Sequence, residues 1–313
     1  MVSRVTNLSS SRLINSLILK SQDQIKEQQL KLTTQQKSQD YLGIGDESSR
    51  LLTVESSLRR IDQFIKDNTF VDMRIESMLN SMDALGDVLS EVRSLVREVL
   101  DDGTTPDGMD KNEIADLNMD QVALFLNLKM NGRFLFAGTK TDTKPVVPED
   151  LASAPTFNAD GVTTTAEPSF YYKGDDNQVK ARIDEGLTLE YGVRANDAAF
   201  EKLIRAIRLV KSTSLTDANA SGKFQHALDL LNQSEDEIAA VELKTGIRFQ
   251  QLDTTNKNLA DTKSILDGVV DEIERADTFE AVAVLNQVQN QLEASYTTAV
   301  RVSSLSLTKF LQR

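Results

Sequence analysis

The chain of 313 residues has no cysteine and no tryptophan, a single histidine, and only five prolines, all between residues 106 and 168. Without cysteine there are no disulfides, no thiolate metal ligands and no thiol nucleophile. The lone imidazole, His226, has no second His or Cys with which to share a metal and reads as a bystander. Aromatic residues are 5 % of the chain, thin for large globular cores. No apolar run approaches the roughly 18 residues of a membrane-spanning helix. The nearest, Leu13 to Leu19, is broken by Asn15 and Ser16 and is followed by no small-residue cleavage site. Neither a membrane partner nor a cleaved secretory signal is expected, so export would use a route that cleaves no hydrophobic signal.

Basic residues are also scarce. The net charge is −13 and the pI about 4.7, which argues against nucleic acid as a partner, since that calls for a broad basic face. The deficit is uneven: no acidic residue precedes Asp23 and none follows Glu293, whereas Arg4, Arg12, Lys20, Arg301, Lys309 and Arg313 lie in those two end segments. The ends are mildly basic on an acidic body, and both carry apolar helical periodicity.

What the chain does have is heptad order. Ile75, Met78, Met82, Leu85, Leu89, Val92, Val96 and Val99 step alternately by three and four residues, the seam of a helix that packs on another helix. Val54, Leu58, Ile61 and Ile65 keep the phase upstream, with Asn68 and Asp72 at seam positions between. A helix from Asp46, its expected cap, to Asp101 would be about 80 Å long. A second seam, from Ile238 through Thr245, Leu252, Leu259 and Leu266 to Ile273, lies in a helix expected over about 222–276 and is again polar in its middle. The two polar middles are expected to face one another, and replacing Asn68 and Asp72 by Leu to raise the melting temperature.

Between these helices the pattern changes. Asp101 to Gly108 is a turn by composition; its acidic look fits no calcium-loop register. A short helix should follow, capped by Asp110 and Glu113, with Ile114, Leu117, Leu124 and Leu128 as its buried stripe. Asn131 to Lys140 has glycines near Thr139 and Lys140, but its Phe-Leu-Phe interior opposes a phosphate cradle, and it reads as a helix end entering a buried strand. From Thr139 to Asn196 helical period disappears. Val179, Ala181 and Ile183 alternate, as do Leu187, Leu189, Tyr191 and Val193, with Gly174 and Gly186 as turns and residues 169–173 as a further strand. Helical period returns after Asn196, a plausible cap, with Phe200, Leu203, Ile207 and Val210, and a last helix starts at an Asp277–Glu280 capping box. The fold class is mainly α with a small β insert: a long antiparallel coiled-coil rod with an inserted β domain and terminal helices. Its expected segments are a terminal helical segment at 1–44, rod at 45–138, β insert at 139–196, rod at 197–277, and a terminal helix at 278–313.

Ile273-Glu-Arg-Ala-Asp-Thr-Phe-Glu-Ala281, Ser295-Tyr296 and Ser304-Leu-Ser-Leu307 to Phe310-Leu311 resemble the end of bacterial flagellin-like axial proteins. Gly246, Arg248, Leu252 and Asn258 are similar to the stretch before it, and Leu30 to Lys37 stands in the place of that family's Leu-Ser-Ser/Thr-Gly-Lys segment, without its Gly. Asn131 to Thr139 with Asp142 to Pro145 resembles the Gly-Arg-Tyr-Leu-Phe-Ala-Gly-Thr stretch of the hook-associated members that join hook to filament. The resemblance implies a structural, non-enzymatic flagellar subunit with no cofactor, exported unfolded to the cell exterior through the type III apparatus. Its partners would be further copies in a helical ring or tube, other hook-associated proteins and flagellin, and an export chaperone. The expected subunit-interface residues are Leu13, Leu17, Ile25 and Leu32 on the first helix and Leu285, Val288, Leu292, Tyr296, Ala299, Val302, Leu305 and Phe310 on the last. A filament flagellin, a cytosolic coiled-coil scaffold and a needle-tip-like protein remain alternatives that the periodicity also fits. An enzyme lacks a constellation, because its carboxylates fall on solvated helix faces.

Overall fold

The computed structural model describes residues 2–103, 110–167 and 170–311, with side chains described within 12–302. Seven helices and two short antiparallel hairpins appear among the described residues. The helices are α1 (Val2–Thr34), α2 (Ser48–Asp102), α3 (Lys111–Leu126), α4 (Pro148–Leu151), α5 (Ala198–Ser212), α6 (Ala220–Glu274) and α7 (Thr278–Leu311). The chain divides into two compact units, one of Ile61–Ala260 and one of Met1–Arg60 with Asp261–Arg313; α2 and α6 contribute residues to both.

In the first unit the heptad seam of α2 is the spine of the core. All eight residues from Ile75 to Val99 are buried, none more than 5 % exposed. They join one apolar cluster with the α5 stripe (Phe200, Leu203, Ile207, Val210) and with Phe224, Leu231 and Ile238 of α6. Helix α2 ends where Gly103, at φ +65°, donates its N–H to the Val99 carbonyl, a left-handed stop that favours glycine. The remainder of the expected turn, 104–108, lies outside the described residues. At the other end Asp46 and Glu47 do not cap α2; they belong to a 3-10 turn, Gly45–Glu47, that precedes it.

Helix α3 starts as expected, with the Asp110 carboxylate accepting from the Asn112 N–H, but its buried stripe is shifted: Ile114 and Leu128 are half-buried against the core and the middle of the expected stripe is not. Leu117 and Leu124 are 59 % and 66 % exposed, while Ala115, Met119, Val122, Ala123 and Leu126 are buried. Two anchors set this rotation: the buried Lys111 ammonium donates to the carbonyls of Val210 and Lys211, and Lys211 pairs with Asp116. The alanines let α3 lie close against α5. Helix α5 is capped by Asp197, whose carboxylate accepts from the Ala199 N–H, rather than by Asn196, which donates to Asp176.

Asn131 and Gly132 form a two-residue hairpin between β1 (Lys129–Met130) and β2 (Arg133–Phe134). Both have positive φ, 48° and 79°, the geometry for which Asn-Gly is selected. The expected single buried strand is therefore a hairpin followed by the irregular buried run Leu135–Phe136–Ala137. Phe136 meets Phe200 edge-to-face at 6.1 Å. Strands β3 (Lys180–Asp184) and β4 (Leu187–Glu190) pair as expected around Gly186, at φ +84°.

Residues 170–173 are not a strand. Tyr172 makes one isolated bridge to Val146, and the two Tyr hydroxyls donate to the carbonyls of Ala195 and Asp175. The chain turns next at Gly174, packed so tightly that a Cβ there would lie 2.5 Å from the Ala137 carbonyl. Here Asn127, which bonds both backbone groups of Val146, and Asp175, which accepts from Thr139 and Asn177, take the place of ladder partners.

Asn68 is fully buried and donates to the Ile183 carbonyl of β3 (2.9 Å) and to the Asn256 side chain of α6 (2.7 Å). The polar middles of the two long helices thus do meet at Asn68, but in a specific hydrogen-bonded joint. Asp72 is half-buried, and burial first, then Glu76 and Asp253, raises its pKa.

A candidate assembly surface on the terminal helices

In the second unit α1 and α7 pack against one another. Their direction follows from two pairs: Gln22 donates to the Tyr296 hydroxyl (2.9 Å), and Gln36 bridges antiparallel to Arg275. Lys37 N–H donates to the Glu274 carbonyl, and Ala276 N–H to that of Gln35. These bonds tie the segment after α1 to the break before α7. Gln35 takes a left-handed φ of 58°, uncommon for a residue with a Cβ, which frees the chain from α1 for this pairing. Asp277 caps α7, its carboxylate accepting from the N–H groups of Phe279 and Glu280.

The unit buries little. Its buried apolar side chains among the described residues are Leu51, Ile273, Ala276, Ala281 and Val288. Of the twelve interface residues expected from the sequence, Val288 is buried and Ile25, Leu32, Leu285, Leu292, Ala299 and Val302 are half-buried. Leu13, Leu17 and Tyr296 are 61 %, 43 % and 45 % exposed. Leu305 and Phe310 lie beyond the described side chains. Exposed on the same two helices, but off the heptad stripe and so missed by it, are Leu19, Leu30, Phe279, Val282 and Val300. Phe279, 88 % exposed, sits in the first turn of α7, between the two residues of the Asp277–Glu280 capping box.

Polar chemistry around these helices is structural. Lys31 pairs with Glu27 and Lys37 with Glu47. Tyr41 donates to Glu55, which raises the phenol pKa by holding the neutral form. Among the described residues no three His, Cys, Asp or Glu side chains gather as a metal site, and no helix is long and apolar enough to cross a membrane. The arrangement presents apolar side chains of both helices to solvent.

The fold these features define, long helices with small antiparallel hairpins, is one shared with solved flagellar proteins. Residues 228–311, α6 beyond its first two turns and all of α7, match the family model of the bacterial flagellin C-terminal helical region. The fold is shared with a protein described as flagellar hook-associated from Vibrio parahaemolyticus (TM-score 0.57, 15 % identity, 73 % of this chain and 97 % of that one). It is shared also with FlgL of Bacillus cereus (TM-score 0.53, 16 % identity, 70 % and 98 %). The flagellar junction protein FlgL of Legionella pneumophila is similar as well (TM-score 0.50, 11 % identity, 71 % and 98 %). No curated protein sequence matches the chain.

Proposed function

We propose that this chain is a structural subunit of the bacterial flagellum that joins hook to filament, assembling with further copies through α1 and α7. The observation that carries this reading is the exposed apolar surface of that helix pair, of which α7 lies in the region that matches the flagellin C-terminal model. Each Leu or Val taken fully out of water there contributes about 1.5–3 kcal/mol. Subunits of a helical tube meet through heterologous contacts that need not close on themselves, so each copy offers one face and receives another. In this reading segments 1–44 and 278–313 supply the main assembly contacts, the rods 45–138 and 197–277 form a middle layer, and the β insert 139–196 faces outward. The neighbouring subunits are further copies, other hook-associated proteins and flagellin. An export chaperone covers the end helices before secretion to the cell exterior, which proceeds without signal cleavage. The fold shared with junction proteins favours a junction subunit over a filament flagellin.

Electron microscopy of epitope-labelled protein on intact flagella tests it. A single ring of label at the boundary of hook and filament is expected; label along the whole filament would mean a flagellin.

A further inference from the structure

The Asn131–Lys140 stretch has a second feature besides its hairpin. On a chain of net charge −13, residues 129–144 hold Lys129, Arg133, Lys140 and Lys144 against Asp142 alone. Beside β2 lies a small crevice whose polar lining is Arg74, Arg133, Thr141 and Tyr191, with Met78 and Leu135 among its apolar walls. Arg74 Nη1 donates to the buried Tyr191 hydroxyl at 3.2 Å, which leaves that hydroxyl's own proton free to donate. Arg74 Nε is buried without a partner. Among the described residues no carboxylate pairs with Arg74 or Arg133, whereas Arg93 meets Glu235, Arg205 meets Glu201 and Arg194 meets Asp176. The crevice volume, about 20 Å³, admits one water-sized group, the size of a carboxylate oxygen.

We infer that this crevice is a carboxylate-binding subsite, filled in the assembly by an acidic side chain from a second copy of this chain. Arg74, Arg133 and Tyr191 line one small opening, and the planar N–H forks of arginine match a carboxylate. The choice of occupant rests on the assembly proposed above and on charge: the chain is acidic overall, and this hairpin is a basic exception on it.

The test uses the full chain with ¹⁵N-labelled arginine. Sodium acetate is titrated against sodium chloride at equal ionic strength while arginine Nε–Hε signals are followed by NMR. Acetate is expected to shift, saturably, the signals that are missing in Arg74→Gln and Arg133→Gln, and chloride is not. Arg133→Gln, an exposed position, should weaken acetate binding at least tenfold and leave the melting temperature unchanged. It should also lower the extent of self-assembly, measured by sedimentation, about tenfold. No saturable acetate shift, or an equal response to chloride, overturns the subsite. Acetate binding together with normal assembly of Arg133→Gln overturns the second copy as occupant. If the wild-type chain does not assemble at all, the assembly reading fails, and the acetate titration still decides the subsite.

Discussion

The two units of this chain bury their side chains to different depths. The Ile61–Ala260 unit gathers residues of α2, α3, α5, α6 and the intervening hairpins into one apolar cluster, with Phe136, Tyr171 and Phe200 fully enclosed. The unit of the terminal helices encloses a handful of apolar side chains, two of them alanines, and leaves Leu13, Leu19, Phe279 and Val300 more than half exposed. The first has the core of a self-sufficient domain; the second carries apolar surface in search of a cover. The proposed division of labour rests on that contrast: one unit encloses its own core, and the other is the one that assembly would complete.

The contrast breaks most sharply if the ends are removed. Deleting residues 278–313 should abolish sedimentable assembly while the Ile61–Ala260 unit keeps a cooperative melt by circular dichroism. A truncated chain that still assembled would move the assembly surface elsewhere. Next in size, Phe200→Ala should cost about 3–5 kcal/mol in urea unfolding, because it opens a cavity in a closed core. Val288→Ala in the end unit should cost only about 1–2 kcal/mol.

Asn68→Leu should lower stability by about 1–3 kcal/mol, since it strands the Ile183 carbonyl and the Asn256 amide in a buried joint. The sequence pattern alone predicts the opposite sign, so this substitution measures what the structure adds.

A smaller effect concerns His226, whose Nε2 accepts the Thr164 N–H at 3.0 Å and must therefore be unprotonated. Burial, then the Arg205 charge, depresses its pKa below the ordinary 6.5. The unfolded chain then binds a proton that the folded chain resists. Stability is fully present above about 6.5 and is lost as pH falls through the lower folded value. The difference in melting temperature between wild type and His226→Gln should accordingly shrink between pH 7 and 5; a constant difference would show that the imidazole does not titrate against the fold. Smallest for stability is Leu13→Ser with Val300→Ser, expected within about 0.5 kcal/mol of wild type, although it should weaken assembly.

Much of this was legible in the sequence because the long helices obey one repeat. Every α2 seam residue from Ile75 to Val99, and the Phe200–Val210 stripe, is buried as its spacing requires. Helix α3 carries apolar residues on two faces, and the Lys111 and Lys211 anchors that choose between them lie about a hundred residues apart in the chain, beyond the reach of a local period. The Asn131-Gly132 hairpin has a strong local signal that glycine spacing alone passes over. The irregular backbone of 139–147 and 170–178 is held by side chains such as Asn127 and Asp175, which bond to backbone distant in sequence and leave no period. On the terminal helices the heptad stripe locates Leu13 and Leu17 but omits Phe279 and Val300, whose exposure depends on how α1 lies against α7.

Hydrogen exchange read by mass spectrometry, on the free chain and on its assembled form, tests the division of labour most directly. New protection should concentrate in residues 12–34 and 278–302, with the α2 and α5 core segments unchanged. New protection confined to the Ile61–Ala260 unit, with the terminal helices exchanging as in the free chain, would contradict it.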